Sequence, residues 1–269
     1  MLRILLCLFT MWTNSLGFIT KDEMIKRTLY LSQATYCNDS VITNWSCKTC
    51  DSNVVLTNII MNHGEKALVG LYPKDKILFV AFRGSTNIQN WIDNVQFSKT
   101  CPYEEPYLCV ETGFYKVFEY MKEDVIKSVE TLIRQNEIEQ LLFTGHSMGS
   151  CVSALMAYHM YGMTNKNITL YTFGSPRLGN EAFSDDFPIE STRVTHANDM
   201  VVHVPQMFLG YKHIRHEVWY DSLNNKQHEC NDVIDEDPNC SNSCGPLHCT
   251  SINDHLNYLN ISLGSDGYC

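Results

Sequence analysis

A continuous apolar run restricts the fold of this chain more than any other feature. Residues Ile77–Phe82 (ILFVAF) have the length of one strand and no polar face. A strand of this kind must be covered on both sides, as in a parallel sheet flanked by helices. The flanking sequence alternates between helical and strand-like patterns. We predict a helix from the capping box at residues 20–23, a helix with an apolar stripe over residues 114–133, a strand at 141–144, a helix at 150–161, and strands at 168–173 and 193–196. This alternation predicts one α/β domain with a mostly parallel central sheet and helices on both faces.

Length and charge narrow the range of partners. The chain has 269 residues, enough for one large α/β domain with a sizeable core. Its net charge is −10, and no cluster of Lys or Arg stands out. Because nucleic acids and anionic membranes attract basic surfaces, we expect no nucleic-acid partner and poor binding to anionic membranes. Residues 227–250 carry four cysteines and are expected to form a disulfide-stapled surface segment.

The N-terminus has the pattern of a secretory signal peptide. Arg3 precedes an apolar run at residues 4–12, and Ser15 and Gly17 stand at suitable −3 and −1 positions for cleavage. A membrane anchor is the alternative, but the run is about half of the roughly 20 residues that a spanning helix needs. The sequence therefore predicts a signal peptide at residues 1–17, a mature domain at residues 18–269, an extracellular location and no integral membrane association.

Cysteine usage is consistent with an extracellular protein. The 12 cysteines include Cys7 of the signal peptide, and the 11 that remain are too many for a typical reduced cytosolic enzyme. Cys151 lies in a predicted helix and is expected to be the free thiol, which leaves ten cysteines for five disulfides. A zinc site at Cys47 and Cys50 is the alternative, but no second pair with suitable spacing follows. Sequons for N-glycosylation begin at Asn38, Asn44, Asn167, Asn239 and Asn260.

A G-x-S-x-G sequence provides the candidate nucleophile. Gly145 and Gly149 flank Ser147 between a predicted strand and a predicted helix. Such a turn exposes the serine hydroxyl above the sheet, and the small glycines let strand and helix pass closely. The backbone N–H of Met148 would then point, with the helix N-terminus, towards a developing oxyanion. The alternative is a buried serine in a tight turn.

A serine nucleophile needs a base, and the base needs a carboxylate that fixes its tautomer. On a doubly wound hydrolase sheet these groups follow the serine in the order acid, then histidine. Asp199 comes shortly after the predicted strand at residues 193–196, and His255 lies near the C-terminus. The sequence thus proposes Ser147, Asp199 and His255 as a catalytic triad, although a lone histidine is more often structural.

The loop after Ile77–Phe82 supplies a second candidate oxyanion donor, Ser85, through its backbone N–H. Directly after it, apolar residues recur at helical spacing, opposite a polar face. These apolar residues are Ile88, Trp91, Ile92 and Val95. Two interpretations remain open for this short amphipathic helix: a helix of the core, or a lid that covers the site in water and meets lipid when open.

Taken together, these segments resemble the class 3 lipases, the secreted fungal-type triacylglycerol lipases of the α/β-hydrolase superfamily. The resemblance covers nearly the whole mature chain. It rests on the segments at residues 82–91, 144–149, 172–180, 198–199, 216–220 and 254–256. It implies a single α/β-hydrolase domain, with the nucleophile at Ser147, the acid at Asp199 and the base at His255. It also implies an oxyanion hole at Ser85 and Met148 and a helical lid over residues 86–96.

The same resemblance implies disulfides between Cys37 and Cys269, Cys47 and Cys50, and Cys230 and Cys240. Two further pairs, Cys101 with Cys109 and Cys244 with Cys249, depart from the fungal pattern. Because the first follows the lid and the second precedes His255, substrate preference cannot be transferred from the family.

The expected activity is hydrolysis of triacylglycerol or another ester at a lipid interface, by a monomer that needs no cofactor and no metal. The alternatives are a phospholipase A1, a soluble-ester (feruloyl-type) esterase and, more remotely, a non-catalytic secreted binding protein on the same fold. The apolar stripe of the lid argues against the soluble-ester esterase.

Overall fold

The computed structural model describes residues 19–94, 97–105, 107–222, 226–231, 233–234, 236–244 and 248–269. The expected signal peptide lies outside the described residues. Within the described ranges, no helix is both long enough and apolar enough to cross a bilayer.

The secondary structure alternates along the chain as the apolar patterns predict. The helices are α1 (Lys21–Ala34), α2 (Asp39–Thr43), α3 (Ile88–Asn94), α4 (Thr112–Gln135), α5 (Met148–Tyr161), α6 (Glu181–Asp186) and α7 (Ile252–His255). The strands are β1 (Val55–Asn62), β2 (Glu65–Tyr72), β3 (Ile77–Phe82), β4 (Lys99–Thr100), β5 (Val110–Glu111), β6 (Gln140–His146), β7 (Asn167–Phe173), β8 (Glu190–His196), β9 (Glu217–Tyr220), β10 (Gln227–Glu229), β11 (Asn257–Tyr258) and β12 (Ile261–Ser262).

Eight strands form the main sheet in the order β1-β2-β3-β6-β7-β8-β9-β10. The five central strands β3, β6, β7, β8 and β9 are parallel. At the edges of the sheet, β1 pairs antiparallel with β2, β2 with β3, and β10 with β9. In the register of the centre, Phe82 pairs with Gly145, and His146 pairs with Phe173. The carboxyl ends of β3 and β6 therefore meet at one edge of the sheet, where α/β proteins place their ligands.

Side chains of β3 are buried on both faces of the sheet, as its uninterrupted apolar sequence predicts. Leu78, Val80 and Phe82 belong to the core formed with α4 and α5. Ile77 and Phe79, which point the other way, pack in the core beneath α1. The predicted α/β architecture with helices on both faces is confirmed.

Two differences from the predicted elements concern the edges of the sheet. The hairpin of β1 and β2 is absent from the sequence-based prediction, because β1 is an exposed edge strand whose register shifts between Leu56 and Asn58. A shift of this kind interrupts the alternation by which a half-buried strand is recognised. The segment at residues 227–250 begins with a strand of the main sheet, β10, before its disulfide-linked part.

In the described part of the chain, five disulfides link ten cysteines, and the Cys151 thiol is free and buried. The pairs are Cys37–Cys269, Cys47–Cys50, Cys101–Cys109, Cys230–Cys240 and Cys244–Cys249. Cys37–Cys269 joins positions 232 residues apart and ties the chain after α1 to the C-terminus. Cys47–Cys50 spans a sequence separation of only 3.

Removal of Cys37–Cys269 and removal of Cys47–Cys50 are expected to lower the free energy of unfolding by different amounts. In the chain-entropy account, a long closed loop restricts the unfolded chain most, so the double variant Cys37→Ser with Cys269→Ser should lose about 2 to 5 kcal/mol of unfolding free energy. The variant Cys47→Ser with Cys50→Ser is the control and should lose clearly less. Guanidinium unfolding of both variants and the wild type measures the difference. Equal losses would contradict the loop-closure explanation.

Candidate active site

Ser147 is the single residue between the end of β6 and the start of α5, at a sharp turn. Its backbone has φ 58° and ψ −130°, outside the helical region, and α5 begins at the next residue rather than near residue 150. A Cβ on Gly145 would overlap the backbone of Gly149, and a Cβ on Gly149 would overlap the carbonyl of Phe82. Both glycines are therefore required by close backbone approach, and the turn has the geometry of a nucleophile elbow.

The fold brings together Asp199 and His255, which are 56 residues apart in the sequence. Asp199 follows β8, and His255 ends α7. Ser251, next to the start of α7, forms an isolated parallel bridge with Asp199. His255 Nδ1 lies 3.0 Å from Asp199 Oδ2 and 3.1 Å from Oδ1. Because a carboxylate can only accept, Nδ1 carries the proton, and Nε2 of a neutral ring is left as the basic nitrogen.

Three donors hold the carboxylate of Asp199 in place. Besides His255, the hydroxyl of Tyr258 donates to Oδ2 over 2.6 Å, and the N–H of Val201 donates to Oδ1 over 2.8 Å. Burial by itself raises the pKa of Asp199, but His255 and the two other donors outweigh it and leave this pKa below its ordinary value. Asp199 is thus an ionised, immobile partner for His255.

Gly174 forms the wall beside this pair. Its φ is +56°, a conformation that favours glycine. A Cβ there would lie 2.9 Å from His255 Nδ1 and 3.0 Å from Asp199 Oδ2. The residue at this position must therefore be small for the carboxylate and the imidazole to stay in contact.

Two atoms of the site are buried without a hydrogen bond. These are Ser147 Oγ and His255 Nε2, and neither has a partner among the described residues. Buried polar atoms in proteins are usually satisfied, so an unpaired hydroxyl and an unpaired basic nitrogen in one site require an explanation. Catalytic hydrogen bonds are often long before substrate binds, and these two atoms are the pair between which a nucleophilic serine would pass its proton.

Ser85 and Met148, the two candidate oxyanion donors, are neighbours in the structure. Ser85 follows β3, and Met148 is the first residue of α5, so its N–H is one of the free donors of a helix N-terminus. Ser85 Oγ is 3.8 Å from Met148 Sδ. Both residues line a cavity of about 250 Å³ together with Arg83, Gly84 and Trp91. The sequence predicts that these two residues act at one site, and the structure places them side by side.

The candidate lid helix α3 lies beside this cavity. Asn87 accepts a hydrogen bond from the N–H of Asn90 over 3.0 Å, which starts the helix. Trp91 stacks on Phe114 of α4, with ring centroids 6.0 Å apart. Ile88 and Ile92 are partly buried, while Gln89 and Asn90 are exposed. Val95 and Gln96, the last part of the expected lid, lie outside the described residues.

Two clusters bring together residue types that bind metals. One contains His203 with Cys244 and Cys249, and the other contains Glu217 with Cys230 and Cys240. In each cluster the two cysteines are joined in a disulfide, so they offer no thiolate to a metal. The alternative of a zinc site at Cys47 and Cys50 meets the same obstacle, because these residues are also bonded to each other.

Several residues that contact the triad have no role in the sequence analysis. Tyr258 donates to Asp199, Gly174 packs on both Asp199 and His255, and the His146 ring lies tilted beside that of His255, with ring centroids 4.5 Å apart. Tyr258 and His146 stand within three residues of a proposed catalytic residue. A search for hydroxyl and imidazole groups near each candidate would have found these two, but their partners depend on the tertiary structure.

Lipases are among the known proteins whose sequences and structures are similar to this chain. The family description "Lipase (class 3)" matches residues 79–209, which include Ser85, Ser147 and Asp199. The lipase of Rhizomucor miehei is 29% identical over 263 residues, covering 91% of this chain and 71% of its own. The "secreted mono- and diacylglycerol lipase A" of Penicillium cyclopium is 33% identical over 170 residues, covering 62% of this chain and 56% of its own.

The similarity extends to the whole fold. The structure of lipase II from Rhizopus niveus superposes with a TM-score of 0.84 at 26% identity, covering 91% of this chain and 96% of that one. The sheet, the serine elbow and the order serine, aspartate, histidine are thus found in a chain that shares its fold with solved fungal lipases. The chain belongs to the class 3 lipases, a family of serine ester hydrolases with the α/β-hydrolase fold.

Proposed function

We propose that this protein is an extracellular lipase that hydrolyses triacylglycerol at a lipid–water interface, with Ser147, His255 and Asp199 as its catalytic triad. The observation that carries the proposal is the buried Asp199–His255 pair, 3.0 Å apart, which leaves His255 Nε2 and the hydroxyl of Ser147 both unpaired. A neutral imidazole oriented by a carboxylate is the base that a serine nucleophile needs.

The first half of the reaction acylates the enzyme. Ser147 Oγ attacks the ester carbonyl carbon, while His255 Nε2 accepts the serine proton. The imidazolium that forms is stabilised by the ionised Asp199, which three donors keep in position. The tetrahedral oxyanion accepts hydrogen bonds from the backbone N–H groups of Ser85 and Met148. His255 then donates its proton to the leaving alcohol, and the acyl group stays on Ser147.

The second half releases the acid. A water molecule gives its proton to His255 Nε2 and attacks the acyl carbonyl, and the same two N–H groups bind the second oxyanion. Collapse returns the proton from His255 to Ser147 Oγ, and a fatty acid leaves. Protons and charges balance through His255 alone, so the sequence of steps requires no cofactor.

The amphipathic α3 supports an interfacial substrate. Its apolar residues Trp91, Ile88 and Ile92 are partly buried beside the cavity that Ser85 and Met148 line. We propose that α3 forms a lid, and that Trp91 leaves Phe114 when the lid meets lipid. Exposing this apolar face costs free energy in water but not at an oil surface, which couples opening to the interface.

The extracellular location is part of the proposal. It is supported by the signal-peptide pattern of residues 1–17, by five disulfides in the described chain, and by a relative whose name is "secreted mono- and diacylglycerol lipase A". We propose a monomer, because each residue of the site comes from this one chain.

The substrate class is tested with purified mature protein on three esters: emulsified long-chain triacylglycerol, phosphatidylcholine vesicles and a soluble short-chain ester. We expect the highest rate on the emulsion, with a rise above the solubility limit of a short-chain triacylglycerol. Ser147→Ala is the catalytic control on each substrate. Faster hydrolysis of phosphatidylcholine would replace the proposal with a phospholipase A1, and ordinary saturation on monomeric ester alone would replace it with a soluble-ester esterase.

A further inference from the structure

A partly buried hydrogen-bond chain joins parts of the site that are distant in sequence. Tyr36, just after α1, places its hydroxyl 2.7 Å from His146 Nδ1. His146 Nε2 lies 2.9 Å from the backbone carbonyl oxygen of His255. The backbone of Gly84 packs closely against the same Tyr36 hydroxyl. Tyr36 and His146 thus connect the loop of Ser85, the turn of Ser147 and the backbone of His255.

Each hydrogen in this chain can be assigned. A carbonyl oxygen only accepts, so His146 Nε2 carries a proton and donates to His255. Burial and the nearby His255 lower the pKa of His146 to about 3, so its ring is neutral and Nδ1 is an acceptor. Tyr36 must therefore donate to Nδ1, and its oxygen faces the backbone of Gly84. Both hydrogen bonds of His146 are satisfied in one direction.

Packing around Gly84 makes this arrangement specific. A Cβ on Gly84 would overlap the Tyr36 hydroxyl and the His146 carbonyl, and would come within 3.0 Å of Ser147 Cβ. The peptide that leads to Ser85 therefore lies directly on the tyrosine and on the nucleophile turn. An oxyanion donor must be held within about 0.5 Å of its working position, and residue 85 is on a loop rather than in a helix or strand.

We propose that Tyr36, acting through His146, is a positioning residue for the oxyanion hole. Its hydroxyl anchors the Gly84–Ser85 peptide to the turn of Ser147, and His146 extends the anchor to the backbone of His255. Tyr36 touches no reacting atom in this scheme. The inference rests on the proposed function, because it assigns Ser85 N–H to the oxyanion.

The test compares Tyr36→Phe with wild type on a soluble p-nitrophenyl ester and on its thiono analogue, in which sulfur replaces the carbonyl oxygen. Sulfur accepts the hydrogen bonds of an oxyanion hole poorly, so the ratio of the two rates reports on those bonds. We expect kcat on the oxygen ester to fall about 10- to 100-fold, a smaller loss than removal of a whole oxyanion donor. KM should stay within about twofold, and the oxygen-to-sulfur ratio should fall by the same factor as kcat.

A matched control removes another tyrosine hydroxyl. Tyr220 is buried in β9 and donates to Gln227 Oε1 over 2.9 Å, at the edge of the sheet. Tyr220→Phe should leave kcat, KM and the rate ratio at wild-type values. Circular dichroism and thermal unfolding confirm that each variant is folded at the assay temperature.

A second pair of variants tests the same role without changing Tyr36. In His146→Asn, the amide oxygen can take the place of Nδ1 and accept from Tyr36, so the rate ratio should be largely retained. His146→Leu offers no acceptor and should lower the ratio as Tyr36→Phe does. If Tyr36→Phe does not fold, this pair decides the question.

The outcomes separate this proposal from the proposed function. A wild-type protein that does not hydrolyse the oxygen ester, or a Ser147→Ala variant that does, overturns both. With the wild type active, an unchanged rate ratio in Tyr36→Phe overturns the positioning role alone, even if both rates fall together, because that result is a general structural loss. Equal oxygen-to-sulfur rate ratios in His146→Asn and His146→Leu would also overturn the positioning role alone.

Discussion

Ser147→Ala is expected to lower kcat/KM on a soluble ester by about three to six orders of magnitude, the scale of losing a triad nucleophile. The variant keeps the backbone, the oxyanion donors and the Asp199–His255 pair, so only the nucleophilic atom is lost. Because Ser147 Oγ has no hydrogen bond within the described chain, its removal breaks no hydrogen bond of the folded state. The free energy of unfolding should change by less than about 1 kcal/mol.

Initial rates on p-nitrophenyl butyrate and urea unfolding measure these two effects separately. Ser153→Ala is the matched control, because Ser153 lies in the same helix and donates to the carbonyl of Ser150 over 2.7 Å, away from the carboxyl edge of the sheet. It should keep wild-type activity. A Ser147→Ala protein that is folded and retains more than about one hundredth of the wild-type rate would refute the assignment of the nucleophile.

Asp199→Asn is expected to lower kcat about 10⁴-fold, the loss known for the equivalent change in a serine protease triad. The carboxylate of Asp199 accepts from His255 Nδ1, Tyr258 and Val201 at once. An amide nitrogen in this place donates, so it conflicts with one of these donors. If His255 responds by carrying its proton on Nε2, the ring can no longer accept the proton of Ser147.

A neighbouring carboxylate supplies the control for this change. Asp254 precedes His255 and accepts from the N–H of Asn198 over 3.1 Å, an interaction that an asparagine side chain can preserve. Asp254→Asn should keep the wild-type rate within about threefold. The same assay, with thermal unfolding to verify the fold, compares both variants. Losses of similar size at positions 199 and 254 would contradict the role of Asp199 as the acid of the triad.

Local sequence patterns predicted most of the central fold. The apolar run of β3 indicates a strand that is buried on both faces, and the spacing of Phe114, Phe118, Met121 and Val125 indicates the helix that covers one of them. Such signals are readable because the period of a helix or strand is a property of neighbouring residues. The edge strand β1 lacks this signal, since it is partly solvated and its register shifts between Leu56 and Asn58.

In the candidate site, too, some residues are identified by a local sequence pattern and others are not. The spacing of Gly145, Ser147 and Gly149 identifies a nucleophile turn from five residues, because backbone contact within the turn requires the glycines. The acid and the base required a rule of chain order, and the disulfide pairs and the lid required a resemblance to a family. Tyr36 had no signal at all, since its partner His146 lies 110 residues away in the sequence and cannot be read from spacing.

The sequence by itself determined the α/β class, the turn that presents Ser147 and the residues Asp199 and His255 as candidates. Only the tertiary structure decided which atoms meet: the carboxylate of Asp199 with Tyr258, the hydroxyl of Tyr36 with His146 across 110 residues, and Gly174 against the imidazole of His255. The physical reason is that periodicity and turn chemistry act between near neighbours, whereas a hydrogen bond between distant residues depends on how the elements that carry them pack.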